Sequence, residues 1–185
     1  MSAADVEAAL EPTDLIEALR EAFRRGAEVP ERTTYPIETS GVPGSLMVMP
    51  AWRMGHRLGV GTVTVFPDNA DRGRPVFTGA YQLLDATTGQ FLALIDGPAL
   101  VKKRTAAASA LASSYLSRPD SQRLLVVGTG QVVPHLVMAH LAVRPIKEVL
   151  VWGRSAAKSK ALARALNRFR LKVRATEDLE GAVRG

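Results

Sequence analysis

A glycine turn behind an apolar run is the segment of this sequence best suited to chemistry. Residues 124–127 are continuously apolar, as in a central parallel strand, and lead directly into the motif GTGQVV of residues 128–133. Such a turn allows the backbone to approach a pyrophosphate at the amino end of the next helix. A simple strand-to-helix turn is the alternative. The residues predicted to contact a dinucleotide are Gly128, Thr129, Gly130, Gln131 and Val132.

The third glycine of the usual G-x-G-x-x-G pattern is replaced by Val133. Glycine or alanine at this position allows a helix to pack closely on the preceding strand. We therefore expect either wider helix–strand packing or a shifted helix.

The second strand of the predicted nucleotide fold ends without the acidic residue that would bind a ribose 2′-hydroxyl. It ends instead in Gly153-Arg154-Ser155. A guanidinium and a hydroxyl at a helix start suit a 2′-phosphate, so the sequence favours NADP over NAD. The alternative is that Ser155 caps the helix and Arg154 is a surface residue, and both interpretations can hold together.

The elements that position these residues follow a βαβαβ order. An alanine-rich helix is predicted over residues 105–116, followed by strands at 123–127, 147–152 and 171–175 with helices between them. This order predicts a parallel sheet with right-handed crossovers.

The part of the chain before residue 99 has a different pattern. A helix is predicted from Pro12 or Thr13 to Gly26, and residues 28–45 read as loops and short strands. Strands are predicted at 46–49, 60–66, 78–85 and 91–95, separated by turns typical of an antiparallel sheet. We therefore predict an α/β protein with a substrate-binding and dimerisation α+β domain at 1–117 and a partial Rossmann domain at 118–185.

Composition limits the function classes. The chain is 46% apolar, contains no cysteine, and has three scattered histidines that form no metal-binding pattern. Its net charge of +6 arises from dispersed basic residues, densest over residues 158–174, which we interpret as solvated surface rather than a nucleic-acid site. The first ten residues resemble no signal peptide, and no apolar run is long enough for a membrane span. We expect a cytoplasmic protein.

An ordered series of motifs resembles the ornithine cyclodeaminase/mu-crystallin family. The series covers nearly all of the chain, and its most specific part is RTAAASALA at residues 104–112, with VGTG at 127–130 at the expected distance. The earlier motifs are MPA at 49–51, LGV at 58–60, VTVFP at 63–67, Asn69, GAY at 79–81, Leu83, Asp85, TG at 88–89 and LIDG at 94–97.

The resemblance implies a homodimeric, nicotinamide-dependent enzyme acting on a small amino or imino acid. Family members include cyclodeaminases, ketimine reductases and amino-acid dehydrogenases, which exchange hydride between the amino-acid Cα and the cofactor. By position, Arg32 and Arg104 match the arginines that hold the substrate carboxylate. For Arg32 the alternative is an exposed loop residue.

Two departures from the family pattern stand out. Gly61 occupies the position of a family lysine that serves the substrate carboxylate and proton transfer. Val101 replaces a threonine, and we interpret the adjacent Lys102 and Lys103 as solvent-facing residues at a helix start rather than substitutes for that lysine.

The family's catalytic aspartate lies later than residue 185, so we expect a fragment, a split product or a degenerate member. The sequence thus predicts an NAD(P)-dependent amino-acid or imino-acid oxidoreductase. The alternative is a non-catalytic, mu-crystallin-like protein that binds NADPH and a small carboxylate.

Overall fold

The computed structural model describes residues 1–167 and 171–184, so residues 168–170 of the basic stretch lie outside it. The described chain divides into two compact units. The first unit comprises Met1–Glu11 and Arg20–Val101, and the second comprises Pro12–Leu19 and Lys102–Gly185. An antiparallel sheet and a parallel sheet with helices confirm the α/β class. The functional boundary between 117 and 118 stays a prediction.

The first unit contains a five-stranded antiparallel sheet with the strands in sequence order. The predicted strands are confirmed, and the second strand is longer than predicted because its pairing continues through Pro50, which lies opposite Val60. The edge strand β1 covers only the other half of β2, so the missing N–H of this proline breaks no ladder bond there. The strands are β1 (Thr33–Ile37), β2 (Gly44–Arg53), β3 (Arg57–Val65), β4 (Phe77–Asp85) and β5 (Phe91–Asp96).

Two helices precede this sheet. The first, α1 (Ala3–Ala9), was not predicted, although Ser2 and Asp5 form a capping box that the sequence contains. The second, α2 (Pro12–Arg25), ends at Gly26 as predicted. Its start at Pro12 is also as predicted, with Glu11 in the cap position and Pro12 as the first helical residue.

The long helix α3 (Gly97–Leu116) begins eight residues before its predicted start. The Asp96 carboxylate accepts a 2.8 Å hydrogen bond from the Ala99 N–H, and a proline follows Gly97, which are two ordinary helix-start signals. Lys102 and Lys103 therefore lie inside the helix rather than at its start. Both side chains are half-buried, and their orientation towards solvent stays a prediction.

The second unit contains the predicted three-stranded parallel sheet, in the order β6-β7-β8. Strand β6 has the predicted bounds, and β7 and β8 differ from prediction by one residue at their starts. A short one-turn 3-10 helix also lies at Pro67–Asn69 in the first unit. The elements of the second unit are β6 (Arg123–Val127), α4 (Val133–Leu141), β7 (Glu148–Trp152), α5 (Ala156–Leu166), β8 (Lys172–Ala175) and α6 (Leu179–Arg184).

The parallel sheet and its helices share one apolar core. Val149 and Val151 of β7 are fully buried, and Val137 of α4 and Leu166 of α5 pack into the same cluster. Val133, at the third position of the glycine pattern, is also a core residue and only 5% exposed. Strand β6, which leads to the glycine turn, is therefore packed against this core through Val126.

Arg144 fixes the carboxyl end of α3. Its guanidinium donates hydrogen bonds of 2.9 Å to the carbonyl oxygens of Ser113, Ser114 and Ser117, and a further bond of 2.8 Å to the Ser117 hydroxyl. The last carbonyls of a helix have no intrahelical partner, and a cation is favourable beside them. This side chain therefore ties the loop before β7 to the end of α3.

Glu148, the first residue of β7, is surrounded by cations from the two flanking strands. Its carboxylate lies 3.0 Å from Arg123 on β6, 3.2 Å from Lys172 and 2.7 Å from Arg174 on β8. Burial raises the pKa of Glu148, but the contacts with Lys172 and Arg174 outweigh burial and lower it overall. The amino ends of the three strands are thus joined by one ionised carboxylate.

Candidate functional site

The glycine turn joins β6 to α4 in the conformation that its sequence predicts. Gly128 has φ of 135°, which side chains rarely allow, and its N–H donates a 2.8 Å hydrogen bond to the Trp152 carbonyl of β7. A Cβ atom at Gly128 or Gly130 would meet nothing within 4 Å. The backbone of the turn is therefore open to approach by a ligand.

The turn also presents unpaired donors at the start of α4. The N–H groups of Gly130, Gln131 and Val132 donate to no acceptor in the described part of the chain. The first intrahelical bonds run from Val133 to the Gly130 carbonyl and from Leu136 to the Val132 carbonyl. Unpaired amides at a helix amino terminus favour an anion, so the turn fits the pyrophosphate of a dinucleotide.

A close contact joins this turn to the loop after β7. A Cβ atom at Gly153 would lie 2.9 Å from Thr129 Cγ2 and 3.0 Å from Ser159 Oγ, so only glycine fits without movement. Both loops follow the carboxyl ends of adjacent parallel strands, where ligands bind in open α/β sheets. The structure therefore brings residues 128–132 and 153–155 to the same edge of the sheet.

Arg154 and Ser155 occupy the positions predicted for a 2′-phosphate. Arg154 is exposed, and its guanidinium forms no hydrogen bond or ion pair with a described residue. Ser155 caps α5, because its hydroxyl accepts a 3.4 Å hydrogen bond from the Lys158 N–H. The capping role expected for Ser155 is present, and its hydroxyl hydrogen remains free to donate to an anion.

The two arginines predicted to hold a substrate carboxylate belong to different units. Arg32 is exposed and directly precedes β1, whose first residue, Thr33, pairs with Val48. Arg104 is exposed on α3, between half-buried Lys103 and half-buried Thr105. Neither guanidinium has a carboxylate partner among the described residues, so both remain available for an anionic ligand.

Gly61 lies in the middle of β3, paired with Met49 on one side and Tyr81 on the other. A Cβ atom at Gly61 would lie 3.5 Å from Met49 Cε and 3.8 Å from Tyr81 Cδ2, which are ordinary van der Waals distances. The strand therefore has room for a side chain at this position, although the sequence places none there.

The Tyr81 ring fills space beside a second glycine of β3. A Cβ atom at Gly59 would lie only 1.7 Å from Tyr81 Oη. Burial raises the pKa of Tyr81, so its phenol stays protonated at neutral pH. Sequence reasoning named Tyr81 only as part of a motif, because its position over Gly59 depends on the pairing of β3 with β4.

A cavity of about 650 Å³ lies at the other end of the parallel sheet. Its lining includes Gln122, Arg123, Lys147 and Glu148, at the amino ends of β6 and β7. Dinucleotides bind at the carboxyl ends of such strands, so this cavity does not coincide with the glycine turn.

No described helix combines the length and apolar character that a membrane crossing requires. Within residues 1–167 and 171–184, no group of three or more His, Asp or Glu side chains is arranged to hold a metal ion.

Comparison with known proteins identifies relatives along the whole chain. The model of the ornithine cyclodeaminase/mu-crystallin family matches residues 1–185. The chain is 41% identical over 167 residues to a Delta(1)-pyrroline-2-carboxylate reductase of Colwellia psychrerythraea, an alignment covering 88% of this chain and 52% of that protein. The chain therefore spans about half the length of the curated relatives that it matches.

Solved structures of related enzymes have the same fold. The reductase of the same name from Thermococcus litoralis, solved with NADH and L-proline, has a TM-score of 0.86 and 29% identity, covering 98% of this chain and 58% of that one. An archaeal alanine dehydrogenase dimer with bound NAD also has a TM-score of 0.86, with 26% identity, covering 98% of this chain and 56% of that one.

Proposed function

Because the chain belongs to the ornithine cyclodeaminase/mu-crystallin family, we propose that it serves as an NAD(P)-dependent oxidoreductase of a small amino or imino acid. The substrate class we favour is a cyclic imino acid, since the Colwellia psychrerythraea relative is a Delta(1)-pyrroline-2-carboxylate reductase. The observation that carries the proposal is the open glycine turn between β6 and α4, with Gly128 at φ 135°.

The residues of the turn would hold the cofactor pyrophosphate. The N–H groups of Gly130, Gln131 and Val132 have no other acceptor in the described chain and lie at the start of α4. When bound, the reduced cofactor would supply hydride to the imine carbon, while the imine nitrogen takes a proton. The protein's part in cofactor binding is to orient the dinucleotide at the carboxyl edge of the parallel sheet.

Arg32 and Arg104 would bind the substrate carboxylate. A guanidinium forms paired, charge-assisted hydrogen bonds with a carboxylate, and this geometry would orient the imine carbon for hydride transfer. Their exposure and lack of carboxylate partners in the described chain support the assignment. The expected result of Arg104→Lys is weaker substrate binding, because a lysine cannot form the bidentate pair.

We infer a preference for NADP over NAD from the loop after β7. Arg154 offers an unpaired cation there, Ser155 offers a hydroxyl, and neither of them nor Gly153 is acidic. A 2′-phosphate would gain a charge-assisted contact that the 2′-hydroxyl of NAD cannot make. The cofactors bound in the two structural relatives are NADH and NAD, so the proposed preference rests on this loop alone.

Titration of the purified chain with NADPH and with NADH, followed by cofactor fluorescence, tests the cofactor assignment. We expect NADPH to bind on the order of tenfold more tightly, and Arg154→Ala to remove that difference. Arg164→Ala is the matched control, because it removes one exposed charge from the other end of α5. Equal affinities in the unmodified chain would remove the NADP preference, and no binding of either cofactor would remove the dinucleotide site.

A second candidate is a non-catalytic protein that binds NADPH and a small carboxylate. Gly61 favours it, because a glycine offers no group for proton transfer where the family carries lysine. Cofactor binding without measurable reduction of Delta(1)-pyrroline-2-carboxylate is the result expected from this candidate. The space beside Gly61 allows a direct comparison, since Gly61→Lys adds the missing amine to a strand with room for its Cβ.

We propose that the protein forms a homodimer through one face of the antiparallel sheet. The register places Val60, Leu58, Leu84 and Leu94 on that face, and none of them is fully buried. A largely apolar sheet face is normally covered by other protein. The alanine dehydrogenase relative is a dimer, which supports a second copy as the cover. A cytoplasmic location stays a prediction.

A further inference from the structure

A small cavity lies in the first unit, at the end of the hairpin that joins β2 to β3. Its volume is about 330 Å³, and it is closed on one side by the last turn of α2. Ligand pockets span roughly 300–1,000 Å³, so this one suits only a small molecule. The lining of this cavity includes Arg53, His56, Arg57, Gly59 and Tyr81. Neither Arg32, Arg104 nor the glycine turn takes part in it.

The inner wall of this hairpin cavity is built from a glycine and a tyrosine. Because Gly59 has no side chain, the Tyr81 ring can extend along the sheet towards the hairpin, with Oη over the Gly59 backbone. Tyr81 is half-buried, and its hydroxyl makes no hydrogen bond with any described residue. A partly buried hydroxyl normally has a hydrogen-bond partner. The Tyr81 hydroxyl is therefore available to donate a hydrogen bond to a ligand in the cavity.

The rim of the cavity carries excess positive charge. Arg53 is half-buried and has no carboxylate partner among the described residues. Arg57 is only 3.6 Å from the Asp85 carboxylate and donates a 2.9 Å hydrogen bond to the His56 carbonyl. Arg25, at the end of α2, is paired with a glutamate on its own helix. Among the described residues of the rim, Arg53 is therefore the cation without a carboxylate partner.

We propose that the hairpin cavity binds a small carboxylate, with its anionic group paired to Arg53 and a further oxygen accepting a hydrogen bond from Tyr81 Oη. A guanidinium prefers a planar carboxylate, and a neutral phenol donates rather than repels. A volume of about 330 Å³ suits a small molecule such as a dicarboxylate. This site is additional to the one in the proposed function.

His56 reports on the charge in the cavity. The field of Arg53, then burial, then the fields of Arg57 and Arg25 lower the pKa of His56, while Asp85 acts in the opposite direction. A bound carboxylate beside Arg53 would offset this field and raise the pKa of His56. By linkage, the carboxylate should bind more tightly as pH falls through the His56 pKa.

The test is a titration of the purified chain with succinate, followed by the NMR signals of the His56 ring. His135 and His140, in the second unit, serve as internal references. We expect saturable shifts confined to His56 and a higher His56 pKa in the bound state. Repeating the titration with phosphate and with chloride separates carboxylate recognition from general anion binding.

Three variants identify the contacts. Arg53→Gln should weaken succinate binding by about tenfold or more, and Tyr81→Phe by roughly threefold to tenfold, because each removes one contact. Arg72→Gln removes an exposed arginine from the turn after β3 and should leave binding unchanged. Dispersed NMR spectra confirm that each variant folds.

The proposal is overturned by an absence of saturable shifts in the unmodified chain. It is also overturned if Arg53→Gln binds succinate as well as Arg72→Gln does, or if phosphate and chloride bind as tightly as succinate. These outcomes leave the dinucleotide titration unaffected, because the cavity contains no residue of the glycine turn.

Discussion

The central strands of the two sheets are buried to very different extents. In the parallel sheet, the first four of the five residues of β7 are buried. In the antiparallel sheet, β3 buries only Gly59, Gly61 and Val63, and its remaining residues are half-buried or exposed. The parallel sheet packs against helices that lie between its strands in the sequence, whereas apolar residues of the antiparallel sheet such as Leu92 and Leu94 are exposed.

This difference separates two kinds of site. The glycine turn rests on a rigid strand and helix, so its unpaired donors have a defined direction. The hairpin cavity and the apolar sheet face belong to the incompletely covered sheet, where half-buried Arg53 and Tyr81 have unused bonding capacity. A packed core thus supports the predicted dinucleotide site, and incomplete burial marks the surfaces proposed for a carboxylate and a second copy.

The largest expected effect is on dimer dissociation, when a charge is placed on the face of the antiparallel sheet that we propose as the dimer interface. Leu94 is 52% exposed on β5, and Leu94→Asp would place a carboxylate in the proposed dimer interface. In a twofold dimer the substitution occurs twice, so dissociation should increase by at least roughly a hundredfold. Light scattering at micromolar concentration measures the change. Leu116→Asp, at an 86% exposed position on α3, is the control.

A monomeric mass for the unmodified chain would contradict the dimer. So would equal masses for the two variants, since the proposal requires Leu94 to be buried on association.

The next largest effect is on the free energy of unfolding, when the same substitution of valine by alanine is made in each of the two central strands. Val151→Ala removes two methyl groups from a fully buried position and should cost about 2–3 kcal/mol in the free energy of unfolding. Val60→Ala removes the same groups from a half-buried position and should cost about 1 kcal/mol or less in the monomer. Urea unfolding of dilute samples measures both. Equal losses would mean that the two strands are equally buried.

The smallest effect concerns the carboxylate that joins the three parallel strands. The pKa of Glu148 is lowered in the folded chain, so its contribution is present above the ordinary value of 4.5 and is lost as pH falls through the folded value. Because its cationic partners are largely exposed, Glu148→Gln should cost only roughly 1–2 kcal/mol at pH 7.

Urea unfolding at pH 7 and at acidic pH measures this contribution, and the difference between variant and unmodified chain should shrink in acid. Glu180→Gln, which removes a 75% exposed ion-paired carboxylate from α6, should have little effect at either pH. A constant difference at all pH values would show that the Glu148 charge contributes nothing.

Local sequence patterns predicted the second unit, which contains the parallel sheet, well. An apolar run followed by two glycines predicted β6 with its correct bounds, and Ser155 caps α5 as one of the two interpretations required. Each signal lies within a few residues of the structure that it predicts. The start of α3 lies eight residues before the alanine-rich segment, because Asp96 caps the helix and the less strongly helix-forming residues 97–104 continue it.

The hairpin cavity could not be predicted from the sequence. Arg53 and Tyr81 are separated along the chain, and only the pairing of β2 with β3 and of β3 with β4 brings them to one cavity. The sequence also gives no sign that Arg53 lacks an acidic partner, because the acidic residues near an arginine depend on strand pairing, as Asp85 opposite Arg57 shows. Such sites depend on strand register, which the local patterns of the sequence do not reveal.

The contact between Gly59 and Tyr81 Oη has a consequence for how this sheet can evolve. A side chain at position 59 would collide with the phenol, and loss of the tyrosine would leave a gap over the glycine. A single substitution at either position therefore passes through a poorly packed intermediate. Positions 59 and 81 are expected to change together among homologues, although 21 residues and a strand boundary lie between them.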